Sequence, residues 1–172
     1  SAQLSDPFNK YAQELKAVTG RRKKTEDDHK EAAKIEFLGG LYVDNGTVIL
    51  PGDNVLRSLR EGATKTKQGK DVIKAIPFID DSPLVYDGPT DIRELAEDDN
   101  FVHRASVKVG MSRVMRTRPI FREWAAVVTF TLDTDVLEVP DLTRIADYAG
   151  SYVGLGDWRP RYGRYNALVE AN

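Results

Sequence analysis

The stretch Ala105–Leu132, ASVKVGMSRVMRTRPIFREWAAVVTFTL, decides the reading of the fold. Residues 105–109 alternate apolar and polar as a strand does, Gly110-Met111-Ser112 turns the chain, and residues 114–121 return as a basic strand. Trp124–Leu132 is the strongest strand signal in the chain, dense in β-branched and aromatic side chains. Its continuous apolar character predicts a central strand covered on both faces, because an exposed edge of that composition invites aggregation.

Downstream, Pro140-Asp141 opens a helix whose apolar face is Leu142, Ile145, Ala146, Ala149 and Val153, stopped by Gly154-Leu155-Gly156. Tyr162–Glu170 then fits a last strand. Upstream, Thr25 precedes three acids as a helix cap should, and Gly39-Gly40 ends that helix. Leu41–Val43 and Thr47–Leu50 flank Asp44-Asn45-Gly46, a hairpin signal, because Asn and Gly accept the left-handed conformations a tight turn needs. Asp53 or Asn54 caps a following helix with Val55, Leu56 and Leu59 on one face and Arg57 and Arg60 on the other. Residues 61–71 are polar and basic, an apolar pattern resumes over 72–78, and residues 83–99 read as an acidic excursion with little regular structure. Phe8–Val18 carries two signals. Tyr11, Leu15 and Val18 make a helical stripe, while Val18-Thr19-Gly20 resembles a strand entering a turn, and the strand is the expectation adopted.

Laid end to end, these elements predict an α+β chain of one domain, residues 1–172, with a ferredoxin-like split βαβ arrangement. The core would use residues 8–38 and 101–172, with 39–100 inserted. Four antiparallel strands would carry helices on one face and leave the other free, a geometry that RNA-recognition modules exploit.

Composition bounds the class. The 172 residues are 41% hydrophobic and 30% charged, an ordinary globular balance that can bury a core without metals or disulfides. Cysteine is absent, which removes disulfides and cysteine-ligated zinc. No run approaches the roughly 18 apolar residues of a membrane span. Residues 1–10 have neither the basic start nor the apolar centre of a signal peptide, so a cytoplasmic protein without membrane partners is expected.

Charge is segregated along the chain. Residues 54–75 hold six bases (Arg57, Arg60, Lys65, Lys67, Lys70, Lys74) against two acids, and residues 104–122 hold six bases and no acid. Between them, residues 80–99 hold eight acids against Arg93. A net charge of −2 argues against a dedicated polyanion binder, but phosphate binding needs only one positive face.

Two constellations follow. In Gly154–Tyr165, GLGDWRPRYGRY, the glycines allow close backbone approach, Arg159, Arg161 and Arg164 can engage phosphates, and Trp158, Tyr162 and Tyr165 offer stacking faces. A helix cap with a core tryptophan and solvated arginines is the competing reading, of equal weight. In the second, Arg113, Arg116, Arg118 and Arg122 surround a hairpin, with Arg116 and Arg118 on one strand face. That pair suits phosphate, and equally suits the acidic segment of this chain or a neighbour. Arg21–Lys24, a further basic run, reads as a solubilising loop. The two histidines, His29 and His103, stand in no metal-ligand or nucleophile–base spacing, so no catalytic residue, metal or cofactor is expected.

The glycine-rich, arginine-bearing loop between last helix and last strand resembles that of the RAMP superfamily of CRISPR-associated RNA-binding proteins. So does Leu50-Pro-Gly-Asp-Asn-Val-Leu-Arg-Ser-Leu-Arg60, a strand, Pro-Gly and basic helix in sequence. The likeness covers both ends of the chain, not its acidic middle, and implies a ferredoxin-like RNA binder. The stretches Phe37-Leu-Gly-Gly-Leu-Tyr42, Tyr86-Asp-Gly-Pro89 and Met115-Arg-Thr-Arg-Pro-Ile-Phe121 are similar to those of bacteriophage-encoded proteins, which implies a phage origin, with a host-cell cytoplasmic location, and supplies no activity.

The expectation is a non-catalytic module for single-stranded RNA or DNA, contacting it through Arg57, Arg60, Lys65, Lys67, Arg113, Arg116, Arg118, Trp158, Arg159, Arg161, Tyr162 and Arg164. The alternative is a self-assembling or host-protein-binding phage protein, a structural subunit or host-factor inhibitor, that pairs acidic with basic faces. A homo-oligomer built that way would weaken with salt.

Overall fold

The computed structural model describes residues 2–171 and is α+β, with small antiparallel sheets and seven α-helices among them. The chain divides into two compact units. The first comprises residues 1–48 and 84–125, and the second residues 49–83 and 126–172. The backbone therefore passes from one unit to the other three times. Residues 39–100, read from sequence as one insertion, are shared between them.

In the first unit, α1 (Ala2–Ser5) and α2 (Lys10–Thr19) precede α3 (Glu26–Leu38), with α1 packed on α2 and α2 on α3. The strand expected over residues 8–18 is thus a helix. The Asn9 side chain accepts a hydrogen bond from the Tyr11 N–H at 2.9 Å, and Gly20, taken as a turn after a strand, closes the helix by donating to the Lys16 carbonyl. Helix α3 begins as its sequence foretells. Thr25 Oγ1 accepts from the Asp28 N–H at 3.2 Å and Asp28 Oδ2 accepts from the Thr25 N–H at 2.8 Å, a reciprocal capping box. Strand β1 (Val43–Asp44) turns through Asn45 and Gly46, at φ of 46° and 83°, into β2 (Thr47–Leu50).

The acidic stretch is not an unstructured excursion. It contains helix α6 (Ile92–Glu97), and its Leu84, Tyr86, Ile92 and Leu95 join Phe37, Leu41 and Val48 in the unit's core. Its carboxylates are put to local use. Asp91 Oδ1 accepts from the Arg93 and Glu94 N–H groups, and Glu97 accepts from Lys34 Nζ at 2.7 Å. Strands β4 (Val102–Val109) and β5 (Ser112–Pro119) then form the longest ladder among the described residues, in register from Val102↔Pro119 to Val109↔Ser112. That hairpin is the one the sequence announced.

The second unit is mostly helical. It holds α4 (Gly52–Gly62), a 3-10 turn (Ala63–Thr66), α5 (Gly69–Ala75) and α7 (Val139–Tyr152), with β2 pairing β3 (Ser82–Pro83) at Ile49↔Pro83 and Leu50↔Ser82. Helix α4 starts after Pro51, ahead of the expected caps, and its first N–H, that of Gly52, donates to Asp81 Oδ1 at 2.8 Å. Helices α4, α5 and α7 enclose Leu59, Ala63, Val72, Ala75, Ile76, Leu142, Ile145, Ala146 and Ala149. Gly62 permits the closest approach, since a Cβ there would stand 2.7 Å from the Ala149 Cβ.

Two expected strands are corrected. Trp124–Leu132 is not a central strand. It is extended but makes only the isolated bridges Val85↔Ala125 and Ile79↔Phe130, with Val127 85% exposed. Its residues alternate between core and surface, so half of the apolar run faces outward and cannot be covered on both sides. Tyr162–Glu170 likewise keeps a strand's alternation, with Tyr165, Ala167 and Val169 against the core, yet joins no ladder. Among the described residues the strands fall into a three-stranded set, β1-β2-β3, and the β4-β5 pair, not into the four-stranded sheet that the ferredoxin-like expectation called for.

Candidate nucleic-acid interface

Nine of the twelve candidate residues lie in the second unit, where two segments about a hundred positions apart meet. Glu61, at the end of α4, accepts from Arg57 Nε at 3.0 Å and from Arg159 Nη2 at 3.2 Å. Burial pushes the Glu61 carboxyl upward, and the two arginine hydrogen bonds with their charges outweigh it, holding it below its ordinary value. Ser58, fully buried on the same helix, donates through Oγ to the Gly154 carbonyl at 3.0 Å and meets Tyr165 Oη at 3.1 Å. Burial raises the Tyr165 phenol above its ordinary range, partly offset by the Ser58 hydroxyl. Tyr165 is therefore a packing and hydrogen-bonding residue rather than a stacking face.

The loop that follows α7 is closed on itself. The Leu155 N–H donates to the Gly163 carbonyl at 2.8 Å, and Gly154, Gly156 and Gly163 all take φ between 74° and 78°. Gly163 admits no substitute, because a Cβ would come within 1.8 Å of the Leu155 carbonyl oxygen. Trp158 stands at the apex with φ 57°, a left-handed conformation that costs a bulky residue of order 1–3 kcal/mol. Its ring centroid lies 6.2 Å from that of Tyr162, and the Arg161 guanidinium sits 5.8 Å from the Tyr162 centroid. Arg164 is exposed and donates through Nε to the Pro160 carbonyl at 3.0 Å.

The loop arginines thus divide by role. Arg159 is largely buried and committed to Glu61, while Arg161 and Arg164 are exposed. Across the helical segment, Arg60, Lys65 and Lys67 are exposed and no ion pair holds them among the described residues. Lys65 Nζ lies 5.0 Å from the Tyr148 ring centroid, and Tyr148 stacks on Tyr152 at 4.8 Å. This second aromatic–cation group escaped the sequence reading. Its signal was the Tyr148/Tyr152 spacing of four on α7, a helical neighbour pair read there only as helix.

The other three candidates, Arg113, Arg116 and Arg118, lie in the first unit on β5. Arg116 Nη1 donates to Glu36 Oε1 at 2.6 Å, and the other carboxylate oxygen accepts from the Thr117 N–H at 2.8 Å. Glu36 is 6% exposed, so Arg116 neutralises a buried carboxylate of α3 and fastens the hairpin's base. Arg118 faces His103 across the ladder and donates to the Thr117 carbonyl. Only Arg113 is exposed. His29 lies exposed on α3, and no cluster of three or more metal-ligating side chains occurs among the described residues. No helix among those residues is long and apolar enough to cross a membrane. Compared with known proteins, the chain matches no family model, no curated protein and no solved structure.

Proposed function

We propose that the second unit binds single-stranded nucleic acid, RNA or DNA, without catalysing a reaction on it. The observation that carries the reading is the joining of the α4 basic segment to the Trp158 loop through Glu61. The same unit carries exposed cations (Arg60, Lys65, Lys67, Arg161, Arg164), with Lys65 over the Tyr148 ring and Arg161 over the Tyr162 ring. Single strands are held by that combination, with cations tracking the backbone and rings accepting unstacked bases regardless of sequence. The strained Trp158 backbone supports it further, since a loop that holds an indole at positive φ spends stability to present it. Arg57 and Arg159 serve the loop's architecture in this scheme. This reading needs neither the ferredoxin-like arrangement, which was expected from the order of the elements, nor kinship with RAMP proteins, which rests on resemblance.

The test is a titration of a fluorescent oligonucleotide at two salt concentrations. The double variant R161A/R164A should lower the salt slope by about 1.4, at roughly 0.7 for each phosphate no longer neutralised. Trp158→Ala should weaken binding by about 1–3 kcal/mol while the melting temperature stays near that of the parent. An unchanged slope in the arginine variant, or no binding by the parent at low salt, would reject the reading.

A further inference from the structure

The β4–β5 hairpin carries a charge pattern that the second unit's surface does not explain. Cross-strand partners share a face, so Arg104, Lys108 and Arg113 lie on one side of the ladder, with Lys108 directly opposite Arg113. Like charges facing each other weaken a strand pair, and no acid occurs anywhere from residue 104 to 122 to relieve them. The same face carries Met115, 61% exposed, and the turn at Gly110 (φ 59°) lifts Met111 to 98% exposure. Every residue from 108 to 113 is exposed. The base, by contrast, is fixed to α3 through the Arg116–Glu36 pair. The Arg116 anchor stands halfway along the ladder, so the four residue pairs beyond it, about 14 Å at about 3.4 Å per residue, make a rooted arm that ends in cations and an unpacked methionine.

We propose that this hairpin is an arm for duplex DNA, lying in the major groove with Arg104, Lys108 and Arg113 against phosphates and Met111 leading. A two-stranded ribbon fits a groove of about 12 Å, and thymine methyls on its floor give an exposed methionine an apolar contact. A-form RNA closes that route, because its major groove is too deep and narrow for side chains to read. Of the two duplexes, the partner is therefore B-form DNA. The inference rests on different residues, in a different unit, from the single-strand proposal.

The experiment uses the full chain with a labelled DNA duplex of about 20 base pairs, an RNA duplex of the same sequence and an unstructured single strand. The parent should bind the DNA duplex and bind the RNA duplex at least about tenfold more weakly. The double variant K108A/R113A should lose DNA-duplex affinity about tenfold or more at low salt, with the salt slope reduced by about 1.8 at 0.9 per phosphate. Its single-strand binding should be unchanged, whereas R161A/R164A should leave duplex binding intact. Because the chain has no cysteine, Met111→Cys accepts one environment-sensitive dye at the tip, whose emission should shift on adding duplex. Absence of duplex binding, equal losses for all three nucleic acids in K108A/R113A, or a silent dye would each overturn the proposal. So would a dye that responds to phosphatidylserine vesicles and not to DNA, which would make the arm a membrane contact.

Discussion

Asp28 shows how a single side chain can be read from both sequence and structure. Its carboxylate accepts from the Thr25 N–H and is joined by Arg21, and these contacts hold its pKa below the ordinary aspartate value. A carboxylate depressed in the folded state stabilises fully above its unfolded pKa, and that contribution disappears as pH falls through the folded value. The melting temperature of the parent should therefore drop, as pH falls below the ordinary aspartate pKa of about 4, more steeply than that of Asp28→Asn. Parallel slopes in the two proteins would show that the cap carries no such linkage. Thr25→Ala should cost about 0.5–2 kcal/mol at neutral pH, read from denaturant melts. The Thr25 cap was legible because its parts stand three residues apart and answer to local chemistry. The Asn9 cap is equally local but went unread, because Val18-Thr19-Gly20 was weighed only against the helical stripe of Tyr11, Leu15 and Val18. The Glu61–Arg159 and Ser58–Tyr165 contacts could not be read at all, since a separation of 98 or 107 residues is closed only by tertiary packing.

Among the elements, α4 and α7 depend on a missing side chain. A Cβ at Gly62 would lie 2.7 Å from the Ala149 Cβ, 3.0 Å from its Cα and 3.1 Å from the Ile145 carbonyl oxygen. Alanine is worth about 1 kcal/mol over glycine in a helix, and forcing atoms into a packed contact costs typically 1–3 kcal/mol. Overpacking should prevail. Gly62→Ala is expected to lower the melting temperature by several degrees, and Ala149→Gly to restore only part of it, because the Cα and carbonyl contacts remain. A stabilised Gly62→Ala variant would mean that the helices can separate freely. The hairpin β4–β5 and helices α3 and α7 were legible, as each declares its period and its ends within its own residues. Trp124–Leu132 was not, for a run of apolar residues does not say which half faces water. Only the neighbours at Ile79 and Val85, reached by single bridges, decide that.

For the whole molecule, the two cores draw on separated parts of the chain. Leu59, Ala63, Val72 and Ile76 come from the earlier part, and Leu142, Ile145 and Ala149 from the last third, so removing residues 126–172 uncovers the second unit's apolar helices. A fragment ending at Ala125 should be recovered as aggregate, or bind a hydrophobic dye strongly, whereas the full chain should not. A fragment that stays monomeric with native helix content would disprove this dependence. The charge blocks, read along the sequence as opposed surfaces for self-assembly, are in part consumed within the chain. Lys34 takes Glu97, Arg116 takes Glu36, and Asp81 and Asp91 cap backbone N–H groups.

The three passages of the backbone between units have a consequence during synthesis. When Val48 is added to the growing chain, its core partners Leu84 and Leu95 have yet to be made. Translation at 5–20 residues per second puts about 2–7 s between Val48 and Leu84, during which Phe37 and Leu41 lack their covering. The second unit waits longer, until α7 is made. The first unit can therefore close only after residues 84–125 follow, and the second only after residues 126–172, so each keeps apolar side chains uncovered while the other's segment is made.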